Sequence, residues 1–339
     1  MKPAYRGIVL CLAALALGSL LNAQGLRKTA QTQPAGIGRD VALAVARPLA
    51  RVSSALRLDR PRHGLQVAIG RGAVDRIDTT VRLAVAPPPV RPRDTVSQGR
   101  TRHGVARPEP KPKSPAKRVF TPRHPLRLWV AGDSLAQVPG EALERAAGSG
   151  GPVEVTAVES RLSTGLGRPD LYNWFTRIAG AIPQLRPDVA VFSFGADDAH
   201  DYMSGVPDGR TVGKLGSPSW DAEYRRRVVG VTQELNEAGV YVVWLGLPIP
   251  RGPGFRRSFR VVNGVLRRAL AESGKGAAFV DTWHLLATKS GRYADYLPDA
   301  HGHLVLMRAA DGVHYTQPAG DLIAHAVLAQ LGRVYELRR

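Results

Sequence analysis

Residues 126–335 predict an α/β domain with a central parallel sheet, and three observations predict it. Short apolar, β-branched-rich runs alternate with longer amphipathic stretches. The short runs are nearly continuous in apolar residues, as strands covered on both faces require. Polar residues gather just after those runs, at the carboxyl edge where open α/β sheets place their sites. Alternation of this kind makes a sheet with helices on both faces the expected architecture.

Taken in chain order, strands are expected at 126–131, 153–158, 189–194, 240–245 and 277–280. Helices are expected at 135–147, 172–184, 221–237, 255–272 and 319–331. The length of this stretch suits one domain. It contains no internal repeat.

The region before it reads differently. Lys2 and Arg6 precede an apolar run from Gly7 to Leu21. A basic start followed by an apolar run is the signature of an export signal. Leu21 stands where a small residue is wanted for cleavage, and the apolar segment extends to about Leu26. That approaches the roughly 20 residues needed to span a bilayer. Residues 1–26 are therefore expected to be an uncleaved signal anchor, which leaves the protein membrane-anchored and extracytoplasmic. Secretion after signal cleavage is the alternative.

Residues 27–125 are expected to form a largely disordered basic linker. Its later part is rich in proline: Pro87, Pro88, Pro89, Pro92, Pro108, Pro110, Pro112 and Pro115. Such a composition buries too little apolar surface to offset the entropy of ordering. A stretch around 40–58 has some helical periodicity, with Pro48 expected to break or kink it. Of the 339 residues, 47 are Lys or Arg and 28 are Asp or Glu, a net charge of +19. The excess sits in residues 1–125, with 23 Lys and Arg against 6 Asp and Glu. The rest of the chain is nearly neutral. Nucleic-acid binding is thus not expected of the domain. The linker charge suits anionic lipid or an anionic cell-wall polymer. The single cysteine, Cys11, excludes an intramolecular disulfide framework and a cysteine zinc cluster.

Three motifs carry chemistry. The first expected strand ends in Ala131-Gly132-Asp133-Ser134-Leu135. A serine there sits at the start of a helix, whose free backbone N–H groups can face a developing oxyanion. Read alone, Ser134 or Asp133 serves equally as a helix cap. The third expected strand ends in Phe194-Gly195-Ala196-Asp197-Asp198, which alone is also an ordinary turn. The last motif, Asp311-Gly312-Val313-His314, precedes the final helix. An Asp three residues before a His can accept from its Nδ1–H, leaving Nε2 as a general base for a serine.

In this order the three motifs resemble those of the SGNH (GDSL-type) hydrolase superfamily, over about residues 126–335. The resemblance implies a flavodoxin-like three-layer α/β/α sandwich. It implies a triad of Ser134, His314 and Asp311, and an acyl transfer through a serine ester to water or to a sugar hydroxyl. The stretch Ser163-Thr164-Gly165-Leu166-Gly167 looks like the superfamily's second motif. It implies that the N–H of Gly165, or alternatively Gly167, joins that of Ser134 around the oxyanion. Gly195, Asp197 and Asp198 fall on the third motif. The arrangement of anchor, basic linker and domain looks like an extracytoplasmic branch of the superfamily.

One position departs from the pattern. The superfamily usually has Asn where this chain has Asp197. An ionised carboxylate accepts hydrogen bonds and donates none. Losing one oxyanion donor typically costs roughly 100- to 1,000-fold in rate. Either Asp197 stays protonated, or the donor comes from elsewhere, with Asn173 as a candidate, or activity is weak.

The expected function is a serine esterase or acyltransferase acting on an acylated carbohydrate or lipid of the cell envelope. An impaired domain that binds envelope polymer is the alternative. No metal or organic cofactor is expected. Asp299, His301 and His303 read as a turn rather than a metal site. His200 reads as a helix start, His284 as partly buried packing, and Arg225-Arg226-Arg227 as an exposed helix face. Arg256, Arg257, Arg260, Arg267 and Arg268 read as solvated, with contact to an anionic glycan near the site as the alternative.

Overall fold

The computed structural model describes residues 3–31, 33, 37–68, 78–83, 117–206, 212–299 and 301–339. They divide into two compact units, Met1–Thr79 with Asp170–Tyr172, and Thr80–Pro169 with Asn173–Arg339.

The first unit is helical: α1 (Pro3–Leu21), α2 (Ala23–Gln31), α3 (Ile37–Ala55) and α4 (Arg60–Ala68). Among the described residues no single helix is long and apolar enough to cross a membrane. Gly7–Leu21 and Ala23–Gln31 meet that requirement together, as a pair bent by 72°. In length and composition this pair is membrane-associating or signal-like. Residues 37–68 of the expected linker carry α3 and α4, and the helical periodicity read around 40–58 falls on α3. There α3 buries Leu43, Ala46, Ala50 and Ser53 along one stripe, at the spacing an amphipathic helix requires. Leu43 and Ala46 pack against Ala30 of α2. The helix runs through Pro48 rather than ending there, with buried alanines on both sides. Gln24 Nε2 donates to Ser54 Oγ at 2.7 Å and ties α2 to the end of α3. The proline-rich linker from 84 to 116 lies outside the described residues.

The second unit opens with β1 (Val119–Phe120) and continues with β2 (Leu126–Gly132), α5 (Gln137–Ala147), β3 (Val153–Ser160), α6 (Trp174–Leu185) and β4 (Val189–Ser193). Next come α7 (Pro218–Glu237), β5 (Tyr241–Leu245), α8 (Pro253–Glu272), β6 (Ala277–Val280) and α9 (Thr282–Leu285). It closes with β7 (Tyr296–Pro298), β8 (Leu304–Leu306), α10 (Gln317–Val334) and β9 (Glu336–Leu337). The five expected strands and five expected helices are all present. The short pairs were not expected: β1 runs parallel to β9, and β7 and β8 form an antiparallel hairpin. Strands of two or three residues are too short to show a period.

The main sheet has the order β3-β2-β4-β5-β6 and every pairing is parallel. This is the flavodoxin-like order, in which the connection reverses direction at the first strand and opens a crevice there. The register places the motifs at one level. Gly132 is paired with Ser160 on one side and with Ser193 on the other. The residues that follow all three strands therefore emerge together at the carboxyl edge.

β4 and β5 are buried over their whole length. Trp129, Phe192 and Trp244 stack edge to face across the strands, with centroids 5.4 and 5.3 Å apart. Trp174 of α6 meets Phe194 at 4.9 Å. Such pairs add about 0.5–1.5 kcal/mol each beyond their buried area. They hold the central strands against the helices that position the site.

The expected exposed arginine face on α7 is corrected. Arg226 and Arg227 are buried, Arg227 completely. Glu223 neutralises both: Arg226 reaches its two oxygens at 2.8 Å, and Arg227 Nε adds a third bond at 2.8 Å. Only Arg225 keeps a surface position, paired with Glu272.

Candidate active site

The site begins where β2 runs out. The backbone turns at Gly132, where a Cβ would lie 2.0 Å from the carbonyl oxygen of Ser193 on β4. No other residue fits so close to the neighbouring strand. Asp133 follows, fully buried. Its carboxyl accepts from the N–H of Leu135 at 2.9 Å and of Ala196 at 3.2 Å. It thus caps the 3-10 turn Ser134–Ala136 and holds the loop after β4 beside it. Burial, with the charges of Asp197 and Asp198, pushes the Asp133 carboxyl well above the usual carboxylate range. The cap is Asp133, which leaves the Ser134 hydroxyl free for other contacts.

That hydroxyl meets His314. Ser134 Oγ and His314 Nε2 are 2.8 Å apart. His314 Nδ1 and Asp311 Oδ2 are 2.5 Å apart. The other Asp311 oxygen accepts from the backbone N–H of Val313 at 2.8 Å and of His314 at 3.0 Å. Burial alone would raise the Asp311 carboxyl. The bonds from Val313 and His314 outweigh it and hold Asp311 at about 2. Asp311 is therefore an anion at neutral pH. It fixes the imidazole so that Nε2 faces the serine.

The second-motif loop is held from below. Trp174 Nε1 donates to Thr164 Oγ1 at 2.9 Å, and Thr164 Oγ1 donates to the carbonyl of Arg161 at 2.7 Å. Asp198 is buried. It accepts from the N–H groups of Leu166 at 3.0 Å and Gly167 at 2.6 Å, and from the Tyr224 hydroxyl at 2.8 Å. Arg227 donates to the carbonyls of Leu166 and Ser204 at 2.7 Å each. A Cβ on Gly165 would lie 2.1 Å from Asp198 Oδ1, so the loop needs glycine to sit on this carboxylate. Among the described residues nothing accepts from the N–H of Gly165 or of Ser134.

Two expected site residues take other places. Asp198 lies beneath the loop as its anchor, not among groups open to a substrate. Its N–H bonds fix Leu166 and Gly167, so Gly165 keeps a free N–H and Gly167 does not. Asn173 caps α6: Oδ1 accepts from the N–H of Thr176 at 3.1 Å, and Nδ2 donates to the carbonyl of Thr80 at 2.9 Å. A side-chain amide committed at both ends is not a spare donor. Gly195 forms the turn after β4, its carbonyl accepting from Asp198 N–H at 3.2 Å.

Asp197 is half-buried beside these groups. Burial, together with the charge of Asp198, raises its carboxyl above the usual range, against the lowering effect of His200 and His314. Three carboxyls, Asp133, Asp197 and Asp198, thus share one corner, and burial pushes each of them above the usual carboxylate range.

The remaining candidates are ordinary. Asp299 accepts from the N–H groups of His301 and His303 at 2.8 and 2.9 Å, a turn. Among the described residues no group of three His, Cys, Asp or Glu could hold a metal. His284 is corrected: it is exposed rather than packed, and pairs with Asp281. Arg267 and Arg268 pair with Asp281 and Asp221.

Sheet order and site place the molecule among flavodoxin-like α/β proteins with a serine–histidine–aspartate chain at the switch crevice. A family model described as "Protein of unknown function (DUF459)" matches residues 127–330, and the chain belongs to that family. Among curated proteins none matches the chain. Solved structures similar to it include a catalytic mutant of an acetylxylan esterase from Geobacillus stearothermophilus, at 16% identity and a TM-score of 0.42, covering 63% of this chain and 97% of that one. A GDSL-like lipase from Bacteroides thetaiotaomicron aligns at 12% identity and a TM-score of 0.41, covering 61% and 88%. An alpha/beta hydrolase enzyme from the metagenome of Lake Arreo aligns at 14% identity and a TM-score of 0.42, covering 62% and 96%.

Proposed function

We propose that the protein is an extracytoplasmic serine esterase or O-acyltransferase acting on acyl esters of cell-envelope carbohydrate or lipid. One observation carries the reading: Ser134 Oγ, His314 Nε2, His314 Nδ1 and Asp311 Oδ2 form a continuous chain of 2.8 and 2.5 Å contacts. In this reading Ser134 Oγ attacks the ester carbonyl as its proton passes to His314 Nε2. Asp311 stabilises the imidazolium. The oxyanion lies against the free N–H groups of Ser134 and Gly165. The proton on His314 then passes to the leaving alkoxide. Water or a sugar hydroxyl attacks the acyl-serine, giving its own proton to His314, and Ser134 is restored. Asp197 contributes in its neutral form, as a donor to the oxyanion, and its raised pKa supports that role.

The extracytoplasmic placement is supported by the bent apolar helix pair at the N-terminus. The envelope substrate is an inference from that placement and from the positive charge of residues 1–125.

A second reading is favoured by the same Asp197. If it ionises, it repels the oxyanion and leaves a domain that binds polymer without turning it over. The test is covalent labelling of the full chain, in detergent, with a fluorophosphonate, read by intact mass. The expected result is one adduct on the wild type and none on Ser134→Ala. A folded wild type that takes no adduct would favour the binding reading.

A further inference from the structure

A second site lies beside the catalytic loop. A cleft of about 360 Å³ is lined by Ile249, Arg256, Arg260, Trp283, Arg292 and Tyr293, among others. Its charge is unusual for this domain. Elsewhere on α7 and α8 every arginine but Arg257 meets a carboxylate: Arg225 meets Glu272, Arg226 and Arg227 meet Glu223, Arg267 meets Asp281 and Arg268 meets Asp221. Arg256, Arg260 and Arg292 meet none among the described residues. Arg256 Nε is buried without any hydrogen-bond partner. Arg292 Nε has only Ser290 Oγ, at 3.2 Å. Behind the wall, buried Arg308 donates to the Ile249 carbonyl at 3.4 Å and adds a further positive charge. A buried donor with no acceptor is costly, and an anion in the cleft would relieve it.

The cleft also carries aromatic faces. Arg260 lies over the Trp283 ring at 5.4 Å, so one wall offers both a guanidinium and an indole. Guanidinium forks suit phosphate and carboxylate. Trp and Tyr rings suit a flat, partly apolar ring with polar edges.

The cleft is one residue removed from the triad. Arg256 Nη2 donates to the Arg251 carbonyl at 3.3 Å. Arg251 N–H donates to the Gly312 carbonyl at 3.0 Å, and Arg251 Nη1 to that of Ala310 at 2.9 Å. Tyr293 and Arg251 share Asp295 Oδ1, each at 2.5 Å. Ala310 and Gly312 flank Asp311, so the wall of the cleft and the loop of the catalytic pair are one connected piece.

We propose that this cleft binds an oxyanion, phosphate or carboxylate, carried on a sugar, as a second contact for the substrate of Ser134. Its place as a substrate contact rests on the serine-ester reading; its binding of the anion does not. The substrate class narrows accordingly from acylated carbohydrate or lipid to an acylated anionic glycan.

The readout is built in. Trp129, Trp174, Trp220 and Trp244 are fully buried, and Trp283 is the one tryptophan of the chain with partial exposure. Tryptophan emission of the full chain in detergent is titrated with glucose 6-phosphate, glucuronate and neutral glucose. The expected result is a saturable change with one or both anionic sugars, at least tenfold weaker with glucose. The change is expected to disappear in Trp283→Phe and to weaken at least tenfold in Arg260→Gln/Arg292→Gln, whose side chains lie at the cleft surface. Glucose 6-phosphate acting alone assigns phosphate; glucuronate acting alone assigns carboxylate. Equal responses to all three sugars, or an unaltered response in the double variant, would overturn the proposal. Ser134→Ala is expected to keep the full response, so a missing esterase activity and a missing anion site are told apart.

Discussion

Asp311 and His314 have a near-copy in Asp281 and His284. Both pairs have the Asp-x-x-His spacing. Both join Nδ1 to Oδ2, at 2.5 and 2.6 Å. In both, the Asp also accepts from the backbone N–H of its His, at 3.0 and 3.3 Å. In both, burial opposes ionisation and hydrogen bonds to the histidine help keep the carboxyl low. The pairs differ only in what surrounds them. His314 Nε2 meets Ser134, whereas His284 stands open on the surface and its Asp is shared with Arg267. The local motif is thus a cap that a short loop makes by itself. Its chemistry comes from the sheet, whose register delivers Ser134 to one of the two imidazoles and not to the other.

The sharpest break of that comparison is in turnover. Ser134→Ala or His314→Ala is expected to lower kcat/KM on a simple aryl ester by about 10⁴-fold or more, whereas His284→Ala leaves it unaltered. An equal loss from His284→Ala would mean that the surface pair acts in catalysis after all. Next in size, Asp311→Asn should cost about 10⁴-fold through loss of the correct tautomer, read as kcat with KM little altered.

Asp197 faces His314 and has no counterpart at His284, so it sharpens the contrast through pH. Its carboxyl is raised by burial and by Asp198. The wild-type rate should therefore fall as pH rises through that raised value, as the donor becomes an acceptor. Asp197→Asn should abolish the fall and gain up to roughly 100-fold on the alkaline side; a pH–rate profile of both proteins checks it. Stability follows the same sign. A carboxyl raised in the folded state binds more protons there than in the unfolded chain. Its contribution is present at low pH and is lost as pH rises through the folded value. Asp311, held at about 2, works the opposite way and loses its contribution only as pH falls toward that value. Urea midpoints taken as pH rises from the ordinary carboxylate range through the raised Asp197 value should decline less steeply in Asp197→Asn than in the wild type.

The smallest effect is at the surface pair. Asp281→Asn should leave turnover intact and lower stability by about 1 kcal/mol, the size of a lost cap, measured by urea unfolding.

Much of the sheet was legible because β2, β4 and β5 are nearly continuous apolar runs, and because Gly, Asp and Ser mark where they stop. The alignment of Ser134 with Asp311 and His314 was legible through motif order. The supports were not. Arg226 and Arg227 read as surface because a run of three arginines on a helix is usually solvated; their burial depends on Glu223, one turn earlier, and on carbonyls of distant loops. Asp198 read as a substrate contact because it adjoins Asp197. Both lie in the turn that follows Gly195, and that turn sends only Asp198 inward beneath the second-motif loop. Asn173 looked like a free amide beside the motif, yet it opens α6. The periodicity at 40–58 pointed to the helix that forms there, α3; that it runs on through Pro48 was not legible, because helices of this length owe their order to mutual packing, which composition does not display.

Gly132 has a consequence for lineage. The atom that forbids a side chain there is the Ser193 carbonyl of the adjacent strand, which has no part in handling an ester. Asp133 likewise serves Leu135 and Ala196. A descendant that had lost its serine and all turnover would still have to keep the glycine and would gain by keeping the aspartate. Of Gly-Asp-Ser, the first two residues serve the sheet, and only the third serves the proposed reaction.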